Sequence, residues 1–198
     1  MEEKSMEEKK NTALQSVGSK NNLLLPFIAA LIGSLMLILT LFLPFASAKD
    51  EYKEYLQEYS DKMYAEEINM TNGEAVHISL FEYGRMYAAA ADLGMAESIA
   101  IACLVIISAF ALFAILTTLF SVLKKPIAAI IFDLLAFGVF LLIKWDFRDR
   151  GVLPSNRYDW GIAEFICYIG IAVVIVGSIL LLIAKIKNKK QNKALPIE

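Results

Sequence analysis

The chain has 198 residues, of which 58% are hydrophobic and 20% charged, with a formal net charge of -2. Soluble domains carry roughly 45 to 50% apolar residues, so this composition points to a membrane protein. Nucleic-acid binding is excluded as a class, because the aromatic-rich polar stretch, residues 49–95, is acidic and would repel phosphates.

Residues 1–22 mix glutamates and lysines without an apolar period and read as a disordered cytoplasmic tail. Residues 23–45 then run without a charge. A helix rising about 1.5 Å per residue crosses a hydrocarbon core about 30 Å thick in roughly 20 residues, so this is the first predicted span. Pro26 falls in its first turn, where a missing N–H costs little, and Pro44 falls at its far end. Ala46-Ser47-Ala48 follows as an A-x-A pattern, the way a cleaved secretory signal often ends. The long apolar run and the absence of net positive charge before it favour a retained anchor.

Residues 46–98 predict an extracytoplasmic loop domain, mainly helical. Over residues 50–68, Tyr52, Tyr55, Leu56, Tyr59, Met63 and Ile68 recur near helical spacing, with the charged residues largely elsewhere around the turn. That pattern predicts an amphipathic helix, broken at the turn pair Asn72-Gly73. Ser79 and Glu82 have the spacing of a capping box and open a second helix carrying Leu80, Phe81, Tyr83, Met86 and Tyr87, with Gly94 as its stop.

Residues 99–123 form the second predicted span and residues 126–145 the third, opened by Pro126. The intervening Lys124-Lys125 turn is short enough to force an antiparallel hairpin. Trp145, Phe147, Tyr158 and Trp160 bracket the second loop, residues 146–160, as aromatics do at membrane interfaces. The fourth span is residues 161–184, and residues 185–198 form a basic cytoplasmic tail. The expected fold class is an all-α membrane protein: a four-transmembrane-helix bundle with a small helical extracytoplasmic domain formed mainly by the first loop. The tails and the lysine turn hold 11 Lys and Arg against 8 in the two loops, which places both termini in the cytoplasm. The membrane is then the plasma membrane or a bacterial inner membrane.

Asp133 is the acidic residue well inside a span, where a carboxylate must face the bundle and find a partner. Counting along the helices puts Thr117 and Ser178 near its depth, as candidate hydrogen-bonding partners in packing. A proton or ion relay would chain several ionisable groups, and this level offers one. Gly33-Ser34, Gly170 and Gly177-Ser178 are small enough for helix backbones to approach closely. Cys103 and Cys167 both lie in apolar runs, as free packing residues rather than a disulfide. The sole histidine, His77, lacks a ligand set around it, so no metal and no cofactor are expected. With no nucleophile, base and acid in a usable pattern, the chain is not read as an enzyme.

Residues 49–97 hold 11 acids and 4 bases, whereas the second loop is basic through Lys144, Arg148, Arg150 and Arg157. Complementary charge suggests that Arg148, Arg150 or Arg157 docks under the acidic segment, with the tyrosine and leucine stripe doing most of the packing. Tyr52, Tyr55, Tyr59, Met63, Tyr83 and Tyr87 are the candidate outer interaction surface. In layout, one span, a long loop, a hairpin of spans and a short loop, the chain resembles claudin-type four-span proteins. The resemblance is of topology alone, since the first loop lacks their Trp and paired Cys, and no function or residue role is carried over. Its larger loop is the first, unlike that of tetraspanins. The expected function is a non-catalytic interaction or accessory subunit. It would touch the lipid bilayer and a protein partner through its outer domain, with a homo-oligomer not favoured. The alternative is an oligomeric transport or ion-relay component centred on Asp133.

Overall fold

The computed structural model describes residues 23–193, so the expected N-terminal tail and the last five residues of the basic tail lie outside the described residues. The chain begins with helix α1 (Leu23–Thr40) and strand β1 (Pro44–Ala48). Next come α2 (Asp50–Glu58), β2 (Met63–Ala65), a 3-10 turn (Glu66–Ile68) and β3 (Met70–Thr71). The one-turn α3 (Asn72–Ala75), β4 (His77–Ser79) and α4 (Leu80–Asp92) complete the first loop. Then follow α5 (Glu97–Val122), α6 (Pro126–Asp149), β5 (Tyr158–Trp160) and α7 (Ala163–Lys193).

Among the described residues, helices α1, α5, α6 and α7 are the four that are long and apolar enough to cross a membrane, as a multi-pass membrane protein requires. They pack through positions that recur at alternating steps of three and four. On α5 these are Ala100, Cys103, Ile107, Phe110, Ala114, Thr117 and Ser121; on α6 they are Ala129, Asp133, Ala136, Phe140, Ile143 and Phe147. A seam of that period suits the shallow crossing of helix bundles. The turn between α5 and α6 is closed by Lys124 at a φ of 54°, with Pro126 at the helix start. Phe120 stacks on Phe132 at 5.2 Å and Phe110 meets Phe140 in a tilted pair at 5.7 Å, in keeping with the antiparallel register. Helices α1 and α7 approach through glycine. A Cβ on Gly33 would stand 2.7 Å from the Val174 nitrogen, and one on Gly177 would stand 2.5 Å from the Ala30 nitrogen.

The end of the bundle away from Lys124-Lys125 is capped by a small unit that adds short strands to the helices expected there. Strand β1 lies at the centre of a three-stranded antiparallel sheet, between β4 from the same loop and β5 from the second loop. Ala46 pairs with Ile78 on one side and Trp160 on the other. Both loops therefore build one cap. Gly161 permits the junction, because any side chain there would run into the Pro44 carbonyl.

Several boundaries move for local reasons. The first span ends as a helix at Thr40, since Pro44 has no N–H to continue the ladder and Leu41, Phe42 and Leu43 close a turn instead. The expected helix over residues 50–68 stops at Glu58 and gives way to the β2–β3 hairpin. Asn72-Gly73 does not break a helix but starts α3, with Thr71 and Glu74 in a capping box. Ser79 and Glu82 form the expected capping box of α4, and Gly94, at a φ of 68°, follows its end. Helix α6 continues past residue 145 to Asp149.

Candidate functional site

Three of the six candidate surface aromatics and methionines form one ridge along α2 and its C-cap residue Tyr59. Leu56 is the fully buried side of that helix. Flanking it, Tyr52 stacks on Tyr55 at 6.1 Å, Tyr55 meets Tyr59 at 5.2 Å, and Lys62 sits 4.4 Å over the Tyr59 ring. Tyr55 remains 52% exposed, and Met63 on β2 is exposed beside this helix in sequence. Burial, with Tyr64 nearby, raises the Tyr52 phenol above its usual range, against the opposing pull of Arg157.

Tyr83 and Tyr87 leave this surface. Both lie on the face of α4 that packs on the bundle, where Tyr83 is 8% exposed and its ring meets Phe147 at 4.9 Å. Tyr87 meets the same phenylalanine at 6.4 Å. Burial drives the Tyr83 phenol well above the ordinary range, and it pushes Tyr87 up to about 12 despite a hydrogen bond from Arg150. Helical spacing puts five tyrosines and a methionine on two stripes, but cannot say which helix turns its stripe inward.

The second loop meets the first through arginine, though not as charge complementarity suggested. Arg150 donates to the Tyr87 hydroxyl at 2.9 Å and pairs with Asp146 on its own helix. Arg157 lies 5.1 Å over the Tyr52 ring, and its carbonyl accepts from the Lys49 N–H at 2.8 Å. Arg148 is exposed and has no first-loop partner among the described residues. Tyrosine rings rather than first-loop carboxylates therefore receive the two docking arginines. The first-loop acids make no ion pair among the described residues, so their charge is left facing outward.

Contacts between the loops also run through backbone and buried hydroxyl groups that periodicity does not mark. Lys49 donates its ammonium to the Ser155 carbonyl at 2.6 Å, and buried Tyr158 donates to the Ala75 carbonyl at 2.8 Å. An open depression of about 540 Å³ lies between these pieces, lined by Lys49, Asp50, Glu51, Tyr52, Asn156 and Arg157. Separately, Lys144 pairs with Glu164, donates to the Tyr168 hydroxyl at 3.1 Å and sits 4.9 Å over Trp160. That cluster was legible only as interfacial charge and aromatic residues in sequence.

Asp133 is fully buried on α6, as its span position required. The expected hydrogen bonds to it do not form. Thr117 donates instead to the Phe113 carbonyl at 2.8 Å, the usual i−4 acceptor of a helical threonine, and the Ser178 hydroxyl has no partner among the described residues. Both Asp133 oxygens and the Ser121 hydroxyl are likewise without a partner. Cys103 and Cys167 are both free and buried. His77 shares a 3.2 Å hydrogen bond with Ser47 on the sheet, and no group of three metal-ligating side chains occurs among the described residues. Compared with family models, with curated proteins and with solved structures, the chain matches none.

Proposed function

We propose that the chain is a non-catalytic accessory or interaction subunit of a cell membrane, offering its sheet cap as an extracytoplasmic contact surface. The observation that carries this reading is the α2 ridge of Tyr52, Tyr55 and Tyr59. It is held from beneath by Leu56 and from the side by Arg157 and Tyr158, so its partly exposed rings are ordered before any partner arrives. Tyrosine and methionine are enriched where proteins touch, and a pre-ordered surface loses less side-chain freedom on binding. The unpaired acids around the ridge give it a negative field, which favours a partner with a cationic face. Both tails and the Lys124-Lys125 turn would then lie in the cytoplasm, in keeping with their lysine density.

The test is affinity purification of the full chain from its native membrane after amine crosslinking, with Tyr55→Ser and Met63→Ser as controls. Support is a stoichiometric protein crosslinked at Lys53 or Lys62 and lost from the double variant. Equal capture by the variant, or no partner at these lysines, would sink the reading.

A further inference from the structure

Four side-chain oxygens in the half of the bundle nearer Lys124-Lys125 have no hydrogen-bond partner among the described residues: both of Asp133, and the hydroxyls of Ser121 and Ser178. They stand on three different helices, and their residues are 0%, 2% and 1% exposed. Buried polar groups in proteins are bonded to other groups or to ordered water in the great majority of cases, so three such residues along one interior require a common explanation. Their neighbours along the core are small, Ala129 and Ala136 on either side of Asp133 and Ala114 on α5.

The two directions out of this interior differ. Toward the sheet the core is closed by Phe45, Phe110, Phe140 and Phe147, each at most 1% exposed. Phe140 touches both Phe45 at 5.9 Å and Phe110 at 5.7 Å. Toward the other end Ser121 lies one helical turn from Lys124-Lys125. We propose that Asp133, Ser121 and Ser178 bound a hydrated proton-binding site open to the lysine end alone, where the Asp133 carboxyl takes up and releases a proton.

Charge selects the ligand. Lys124, Lys125 and Lys185 lie at that end of the bundle, with Lys185 donating to the Lys124 carbonyl, and would repel a metal cation, whereas water would carry a proton past them. The buried polar groups on the other helices of the bundle are Thr117 and Ser121 on α5, Ser178 and the thiol of Cys167 on α7, and Ser34 and Thr40 on α1. The nearest charged pair in the other direction, Lys144 with Glu164, lies beyond the phenylalanine layer and is satisfied by its own partners. The carboxyl therefore answers to the pH of one side, as a dead-ended site and not a path across the bilayer. It stands apart from the contact surface on the cap, so either can fail without the other.

The experiment uses the full chain in proteoliposomes with pH set separately on the two faces and orientation scored by protease access to the cap. Dicyclohexylcarbodiimide, which adds to protonated carboxyls in apolar surroundings, is applied at each pH and the modified residue mapped by mass spectrometry. The expected result is labelling at Asp133 that is lost as the lysine-side pH rises and is indifferent to the sheet-side pH. No labelling of Asp133 at any pH, labelling unchanged by lysine-side pH, or control by the sheet side would each overturn the proposal. Infrared difference spectra give a second readout on the same protein. A carboxyl band that titrates with lysine-side pH and disappears in Asp133→Asn supports the site, and a band that survives the substitution contradicts it.

Discussion

Toward the sheet the bundle core is aromatic, with Phe45 in edge contact with Tyr83, Phe140, Phe147 and Trp160 at 5.5 to 6.4 Å. Toward the lysine turn it is small and polar, built from Ala114, Thr117, Ser121, Ala129, Asp133 and Ser178. Burial is the same in the two halves, but what it accomplishes differs. Large rings interlock and hold the cap on the helices, each aromatic pair adding about 0.5–1.5 kcal/mol beyond the area it covers. Small side chains let backbones close in, at the cost of leaving polar oxygens that packing does not satisfy.

Truncating a fully buried residue should therefore have different consequences in the two halves. Phe45→Ala is expected to lose about 3–5 kcal/mol of stability, read by thermal or denaturant unfolding in detergent, because it leaves a cavity shared by both loops and α6. Ser178→Ala removes an unpartnered hydroxyl and should stay within about 1 kcal/mol of the parent or improve on it. Equal losses would dissolve the distinction.

Added volume sharpens it at intermediate size. Gly33→Ala places a methyl against the Val174 nitrogen and the Gly170 carbonyl, with no flexible atom to yield, and overpacking of this kind costs about 1–3 kcal/mol. Gly138→Ala meets nothing within 4 Å and should gain up to about 1 kcal/mol from helix propensity, measured in the same unfolding experiment. In the cap, Ser79→Ala should cost about 1 kcal/mol, since it removes the oxygen that accepts the Glu82 N–H at the start of α4.

The smallest expected effect is one of pH. Free tyrosine loses its proton near pH 10, and burial raises Tyr83, Tyr87 and Tyr158, with Tyr87 reaching about 12. A group whose folded value is raised contributes stability below its unfolded value and loses it as pH climbs through the folded one. The cap should therefore loosen between about pH 10 and 12. Tyrosinate absorbance that rises together with protease access to the first loop would show it, and free ionisation at the ordinary value would contradict the buried placement.

The spans, the lysine hairpin and the Ser79-Glu82 box were legible because each is local: an uncharged run, a two-residue turn, a three-residue spacing. The sheet was not. Its strands are 3 to 5 residues long, and the central one, Pro44–Ala48, reads in sequence as the end of a span. Its partner Tyr158–Trp160 lies more than a hundred residues away, beyond any periodic signal. Strand β1 also bears on how Ala46-Ser47-Ala48 is read, since cleavage after Ala48 would take away the middle of the sheet. The tyrosines show the same limit in another form. Spacing groups them, but only the packing of α4 on Phe147 separates buried Tyr83 from exposed Tyr55. Asp133 was found by its position, whereas the failure of Thr117 to bond it depends on a helical carbonyl that no count along the chain reveals.

The central claim is that the cap faces away from the cytoplasm while the lysine turn faces into it, and single cysteines test it directly. Both native cysteines are buried, so Asn156→Cys beside Arg157 and Lys125→Cys in the turn supply the exposed thiols. With a membrane-impermeant maleimide, the account predicts labelling of the Asn156→Cys protein in intact cells and of the Lys125→Cys protein only after permeabilisation. The reverse pattern would contradict it.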